Sequence, residues 1–163
     1  MRVSMKFKEQ YIFDLFKVAE IEIIYNPLPD LQNRPVITEA SIAYEIFRNH
    51  WNSNKIGLQE QFKILLLNQR GACIGISEIA TGGKTSCVVD KRLVFATALK
   101  ANANSIILAH NHPSGGLQPS EADISLTKSI AEAGKLMDIP VLDHLILTPQ
   151  SYLSFSDAGL MPV

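Results

Sequence analysis

The stretch ILAHNHPSGGLQPSEAD, Ile107 to Asp123, gathers the residue types that hold a divalent metal: His110, His112 and, after a turn rich in Pro and Gly, Asp123. Two imidazoles and one carboxylate leave a fourth tetrahedral position for water, which is how catalytic zinc is usually held. Residues two apart on a strand point to one side. If the strand runs on through His110 and His112, both rings therefore face one pocket at its carboxyl end. Pro113 lacks an N–H and discourages further pairing, so the strand ends there and the pocket stays open. A structural reading competes. His-x-His alone is a weak signal, and the run Ser120-Glu121-Ala122-Asp123 has the form of a helix capping box. The combination across one short turn favours the metal.

The spacing of His110-Asn111-His112-Pro113, six residues, Ser120, two residues and Asp123 resembles the JAMM motif of the JAB/MPN metalloprotease superfamily. From about Pro35 to Leu160 the chain is similar to the bacterial RadC-like branch, particularly in AHNHPSG, PSEAD and VLDHLIL. The resemblance implies an α/β fold of the JAB/MPN (cytidine-deaminase-like) type, with one Zn2+ per chain held by His110, His112 and Asp123. Ser120 would support the bound water or the oxyanion. The family also needs a glutamate on an upstream strand, and Glu78 in GISEIATGG occupies the matching place. Zinc lowers the pKa of bound water to about 7, but a carboxylate must still take the proton and deliver it to the leaving group. Glu78 closes an apolar strand, where partial burial would keep its pKa in a useful range.

The implied activity is hydrolysis of an amide, peptide or isopeptide bond. Two alternatives stay open: a non-catalytic DNA-repair or mobile-element accessory protein, and a zinc hydrolase of a non-peptide substrate such as a phosphodiester. Larger RadC-like proteins carry a helix-hairpin-helix region before this domain. The segment before Pro35 is too short for one, which weakens any inherited role on DNA.

Other candidates carry less. His144 would share a strand side with Leu142 and Ile146, as a hydrogen-bonded core histidine does, while Asp143 is a candidate to support a ligand imidazole. His50 closes an amphipathic helix and reads as a surface residue. TGGKTS lacks the first glycine of a Walker loop, with Glu78 in its place. H-N-H is no nuclease signature without its ββα spread, and neither cysteine supplies the P-C-x-x-C of a nucleobase deaminase.

The elements that must position these residues follow from periodicity. Residues 1–34 form a lead-in segment with one alternating strand, Ala19–Tyr25, closed by the prolines of NPLPDLQNR; residues 35–163 form the domain. Thr38 is placed to cap a helix carrying Ile42, Ile46, Phe47 and Trp51. Phe62–Leu67 and Ala72–Ile79 flank Asn68-Gln69-Arg70-Gly71 as a hairpin. Val88-Val89 reads as a short strand, and Asp90 caps a helix from about Lys91 to Ala101. The apolar run Ser105–Ala109 has the mark of a strand buried on both faces. Ser120 opens a helix with Leu126, Ile130, Ala133 and Met137 at steps of three and four. Val141–Leu147 is a further strand, and Phe155–Leu160 a last turn. Alternating helices and strands predict a mixed sheet with flanking helices.

Composition bounds the partners. With 163 residues and 47% apolar content the chain can bury one ordinary core. A net charge of −1 offers no broad electrostatic grip on nucleic acid, although a local basic patch is compatible with it. Cys73 and Cys87 suit free thiols in a reducing compartment. No stretch approaches the ~20 apolar residues of a membrane span, and the N-terminus lacks a signal-peptide core. The expected setting is cytoplasmic, away from membranes.

Overall fold

The computed structural model describes residues 33–162. The strand expected at residues 19–25, and the lead-in before it, lie outside the described residues. A five-stranded sheet runs in the order β2-β1-β3-β4-β5, built from Gln61–Leu67 (β1), Cys73–Thr81 (β2), Ser105–Asn111 (β3), Val141–Leu147 (β4) and Tyr152–Ser154 (β5). Among these strands β3 and β4 pair in parallel, and the other neighbours are antiparallel. Among the described residues three helices flank the sheet: Ala40–His50 (α1), Lys91–Lys100 (α2) and Glu121–Leu136 (α3). The architecture is the mixed α/β sheet that the alternation of elements predicts.

β1 and β3 are buried along their whole length because both faces of the central strands are covered. On one face Phe62, Ile64, Leu66, Ile106 and Leu108 meet Val94, Phe95 and Ala98 of α2 and Ile130 of α3. On the other, Leu65, Leu67, Ile107, Ala109, Leu145 and Leu147 meet Ala43 and Phe47 of α1. Each such Leu, Ile or Phe contributes roughly 1.5–3 kcal/mol relative to exposure, so the strand that carries His110 is anchored in the firmest part of the domain.

Several local expectations change. The N-cap of α1 is Glu39 rather than Thr38, and its side chain caps nothing; it accepts instead from Ser41 Oγ at 2.6 Å. Val88-Val89 forms no strand: Val88 is 90% exposed, and residues 82–90 run as a loop between β2 and α2. A β-branched pair favours a strand only where a neighbour offers a free edge and apolar cover. That loop is closed tightly at Gly82, where a Cβ would sit 2.1 Å from Ser86 O. β5 was not legible as a strand. It is three residues long and gains its pairing from β4, through Leu145↔Ser154 to Leu147↔Tyr152. The hairpin turn forms as its residues predict, with Gly71 at φ +73° and Asn68 Oδ1 accepting from the Arg70 and Ala72 N–H groups.

Candidate metal centre

β3 reaches past Ala109 through His110 to Asn111, and the His112 N–H still donates to Leu147 O at 2.9 Å. The backbone stays extended alongside β4, so both imidazoles fall on the side facing α2 and α3. The chain then turns through Pro113–Pro119 and enters α3, whose first turn lies over the end of β3. Here the two readings of Ser120 and Asp123 prove compatible. The capping box is complete: Ser120 Oγ accepts from Asp123 N–H at 3.2 Å, and Asp123 Oδ2 accepts from Ser120 N–H at 2.8 Å and Ser120 Oγ at 2.6 Å. The same carboxylate turns Oδ1 to 3.2 Å from His110 Nε2.

His110 Nε2 and His112 Nε2 are 3.0 Å apart, Asp123 Oδ2 is 3.6 Å from His112 Nε2, and one ligand atom from each residue lies within 4.8 Å of the others. Ligands at zinc's usual bond lengths of about 2.0–2.1 Å sit roughly 3.3 Å apart around a tetrahedron. The residues therefore fit a small divalent ion. Burial opposes the charge on Asp123, but hydrogen bonds with His110 and His112 outweigh it and hold the carboxyl far below the usual carboxylate range. The hydrogen bond to Asp123 pulls His112 above its ordinary value, against partial burial and with help from Gly116 O and the Glu60 charge.

The hydrogen of the Ser120 hydroxyl already goes to Asp123 Oδ2, so in this structure the residue orients the carboxylate rather than facing a substrate oxygen. Ser120→Ala is expected to cost about 1 kcal/mol of stability, the usual worth of an N-cap, and to weaken metal binding by loosening Asp123. Denaturant unfolding and zinc titration of the variant measure both. Undiminished stability together with undiminished affinity would show the box to be idle.

Glu78 does not join the cluster. It pairs with Lys63 across β1 and β2, whereas His110 pairs with Phe62, the neighbour of Lys63, so the two point to opposite faces of the sheet. Its carboxylate accepts from Lys63 Nζ at 2.9 Å, Gln61 Nε2 at 2.8 Å and Thr81 Oγ1 at 2.6 Å, and Lys63 lies over the Trp51 ring on the α1 side. Burial pushes the Glu78 pKa up, but the bonds from Thr81, Lys63 and Gln61 prevail and hold it below the ordinary value.

A different glutamate is at the cluster. Glu60 lies immediately before β1, and the register Phe62↔His110, continued by two residues, sets it opposite His112. It lines a cleft of about 440 Å³ with His112, Ser120, Asp123, Lys84 and Cys87. Among the described residues its side chain has no hydrogen-bond partner, while its backbone is fixed at 2.8 Å to Gly82 N–H and to Gly83 O. Asn111 holds the same segment: fully buried, it accepts from Gln61 N–H at 2.7 Å and donates to Ile56 O at 2.7 Å and Gln59 O at 2.9 Å. The sequence signal for Glu60 was its place at the head of the QFKILLL run, but only the antiparallel order of β1 and β3 turns that place into proximity. Cys87, in the same cleft, is no ready nucleophile, because burial and the Glu60 and Glu78 charges raise its thiol pKa.

His144 is the buried, hydrogen-bonded core histidine expected, with Nε2 at 2.8 Å from His110 Nδ1. Burial holds it well below its ordinary value and therefore neutral. The supporting role suggested for Asp143 is not the one found: Asp143 accepts from His144 N–H at 2.7 Å, Ser154 Oγ at 2.6 Å and Ser156 N–H at 2.9 Å, tying β4 to β5 and the turn beyond it. It touches no ligand ring because odd and even positions on β4 face opposite ways. His50 Nδ1 bonds Ile46 O at 2.9 Å on the exposed end of α1, remote from the chemistry.

A mixed α/β sheet that sets two histidines at the carboxyl end of a central strand, with an aspartate from the first turn of the next helix beside them, defines a site that can hold a metal ion. Comparison with known proteins makes this specific: the RadC-like JAB domain matches residues 37–160, and the chain belongs to that family. Similar proteins include a UPF0758 protein of Thermosynechococcus vestitus, 48% identical over 123 residues, which are 76% of this chain and 46% of the relative. A UPF0758 protein of Flavobacterium johnsoniae is 46% identical over 101 residues, 62% of this chain and 44% of its own. Another, from Porphyromonas gingivalis, is 38% identical over 136 residues, 83% of this chain and 59% of its own. The chain thus spans about half the length of the curated relatives it matches. Family and cluster together point to a hydrolase of the JAMM type or a related function, with a site that can hold a metal ion. No helix among the described residues is long and apolar enough to cross a membrane.

Proposed function

We propose that this domain is a zinc-dependent hydrolase of amide bonds, peptide or isopeptide, in which His110, His112 and Asp123 hold the metal and Glu60 moves the proton. The observation that carries the reading is the unpaired Glu60 carboxylate on the cleft wall beside His112. Zinc at this site would supply Lewis acidity toward a carbonyl oxygen and acidify water. Glu60 accepts the proton of the attacking water and returns it to the departing nitrogen, the general acid–base work that amide hydrolysis requires. Ser120 keeps Asp123 oriented, and the 82–90 loop, bearing Lys84 and Cys87, forms the wall opposite α3 against which a substrate chain lies.

No Phe, Tyr or Trp lines the cleft among the described residues. The cleft thus offers no Phe, Tyr or Trp platform of the kind that stacks the bases of single-stranded nucleic acids. The test is a panel of peptide, isopeptide-linked and phosphodiester substrates assayed with the zinc-loaded protein. Amide hydrolysis lost on chelation and restored by zinc is the expected outcome. Cleavage confined to phosphodiesters, or none across the panel by fully loaded protein, would overturn the proposal.

A further inference from the structure

His110 stands at the end of a buried chain of hydrogen bonds, and a backbone carbonyl at the other end decides the direction of every link. Thr127 Oγ1 lies 2.6 Å from Asp123 O, four residues back on α3, and 2.6 Å from His144 Nδ1. A carbonyl only accepts, so the single hydroxyl hydrogen goes to Asp123 O, and the hydroxyl oxygen must accept from His144. That places a proton on His144 Nδ1. A second proton, on Nε2, would leave a cation at 0% exposure with no carboxylate hydrogen-bonded to it, which is costly. His144 Nε2 is therefore an acceptor, and the bond of 2.8 Å it makes comes from a proton on His110 Nδ1. Nε2 is then the His110 nitrogen turned toward Asp123 Oδ1, 3.2 Å away, and the one whose lone pair a metal would take.

His112 reaches the same state by a shorter route, its Nδ1 donating to Gly116 O at 2.8 Å. Both Nε2 atoms thus face the Asp123 carboxylate, 3.2 Å and 3.6 Å from its oxygens, and are 3.0 Å from each other. We propose that His144 and Thr127 are positioning residues that fix the tautomer and ring orientation of His110, and so set the affinity of the centre for its metal. The inference rests on the reading of the His–His–Asp cluster as a zinc centre. A ligand histidine commonly hands its other ring N–H to a carboxylate, a carbonyl or water. A neutral imidazole here supplies the same orientation without adding negative charge beside the metal. Through Thr127 the relay also grips the carbonyl of Asp123, so ring and carboxylate are oriented by one network.

The variants separate this role from packing. His144→Phe removes both ring nitrogens but keeps an aromatic ring between Phe62 and Phe155, whose centroids lie 5.7 and 4.8 Å away. His144→Gln returns an acceptor near the lost Nε2, and Thr127→Val exchanges the hydroxyl for a methyl group. Zinc affinity is read by competition with a chromophoric chelator on metal-stripped protein, and the histidine tautomers by nitrogen-15 NMR of the same samples. Wild type is expected to bind zinc and to carry the His110 proton on Nδ1. His144→Phe should bind about 10–100-fold more weakly, the usual cost of losing such a partner, with the His110 proton redistributed toward Nε2. His144→Gln should recover part of the loss, and Thr127→Val should show a smaller loss in the same direction.

Wild-type affinity and an unchanged His110 tautomer in His144→Phe would overturn the proposal while leaving the metal centre standing. Wild-type protein that binds no zinc would sink both together. Should His144→Phe fail to fold by circular dichroism, Thr127→Val decides alone, and unchanged zinc affinity in that variant overturns the relay.

Discussion

On the proposed function, Glu60→Gln is expected to lower amide hydrolysis by about 10²–10⁴-fold while zinc content stays at the wild-type level. The size follows from what is removed: glutamine keeps the shape and hydrogen-bonding reach of the side chain but cannot accept a proton, and general acid–base assistance is typically worth that factor. Metal content holds because Glu60 is not among the three residues whose ligand atoms cluster. The paired control is Glu78→Gln. Its carboxylate is engaged by Lys63, Gln61 and Thr81 on the far face of the sheet, so turnover is expected to remain within a few-fold of wild type, with any cost falling on stability. Steady-state rates and bound zinc, measured on both proteins, check the pair. A Glu60→Gln enzyme of full activity beside a Glu78→Gln enzyme of none would return the proton transfer to Glu78.

His110→Ala and His112→Ala are each expected to abolish stoichiometric zinc binding. In the proposed centre three side chains hold the ion, and deleting one leaves two, which weakens the hold on the metal. The effect also reads out as stability. A ligand that binds only the folded protein stabilises it by about 4 kcal/mol at a thousand-fold excess over its Kd. For a domain of this size that corresponds to roughly 8–16 °C in Tm. Wild type should show such a rise on adding zinc, and both variants should show none. Elemental analysis and a thermal scan with and without metal measure it. Unchanged zinc in both variants would remove the centre. The apo proteins should differ from each other: His110 is 5% exposed between Phe62 and His144, so its loss opens a cavity, whereas His112 stands at the cleft.

The histidine pair, the cap and the carboxylate were legible in the chain because their geometry is local. A two-residue strand period and a three-residue cap spacing place His110 with His112 and Ser120 with Asp123 without reference to distant residues. The central strands were legible too, since a continuous apolar run excludes every environment but burial on both faces. Glu78 and Glu60 show where this reasoning stops. Both adjoin apolar strands upstream of the histidines, and the resemblance singled out Glu78, the nearer of the two along the chain. The difference between them is one of parity and order: a β-bulge between Phe62 and Lys63, and the antiparallel pairing of β1 with β3, decide which carboxylate shares a face with His110.

What the amino-acid sequence determined by itself was a set of ligand types at spacings that short-range backbone geometry converts directly into proximity, together with the burial pattern of the strands that carry them. What only the tertiary structure decided was everything depending on which strands are neighbours. That includes Glu60 at the cleft, Glu78 behind the sheet, Asp143 bound to Ser154 rather than to a ligand, and His144 delivered from β4 to the back of His110. The physical reason is that a strand's own period fixes which side chains alternate, whereas the partner it pairs with, and the register of that pairing, are set by the summed burial of the whole sheet.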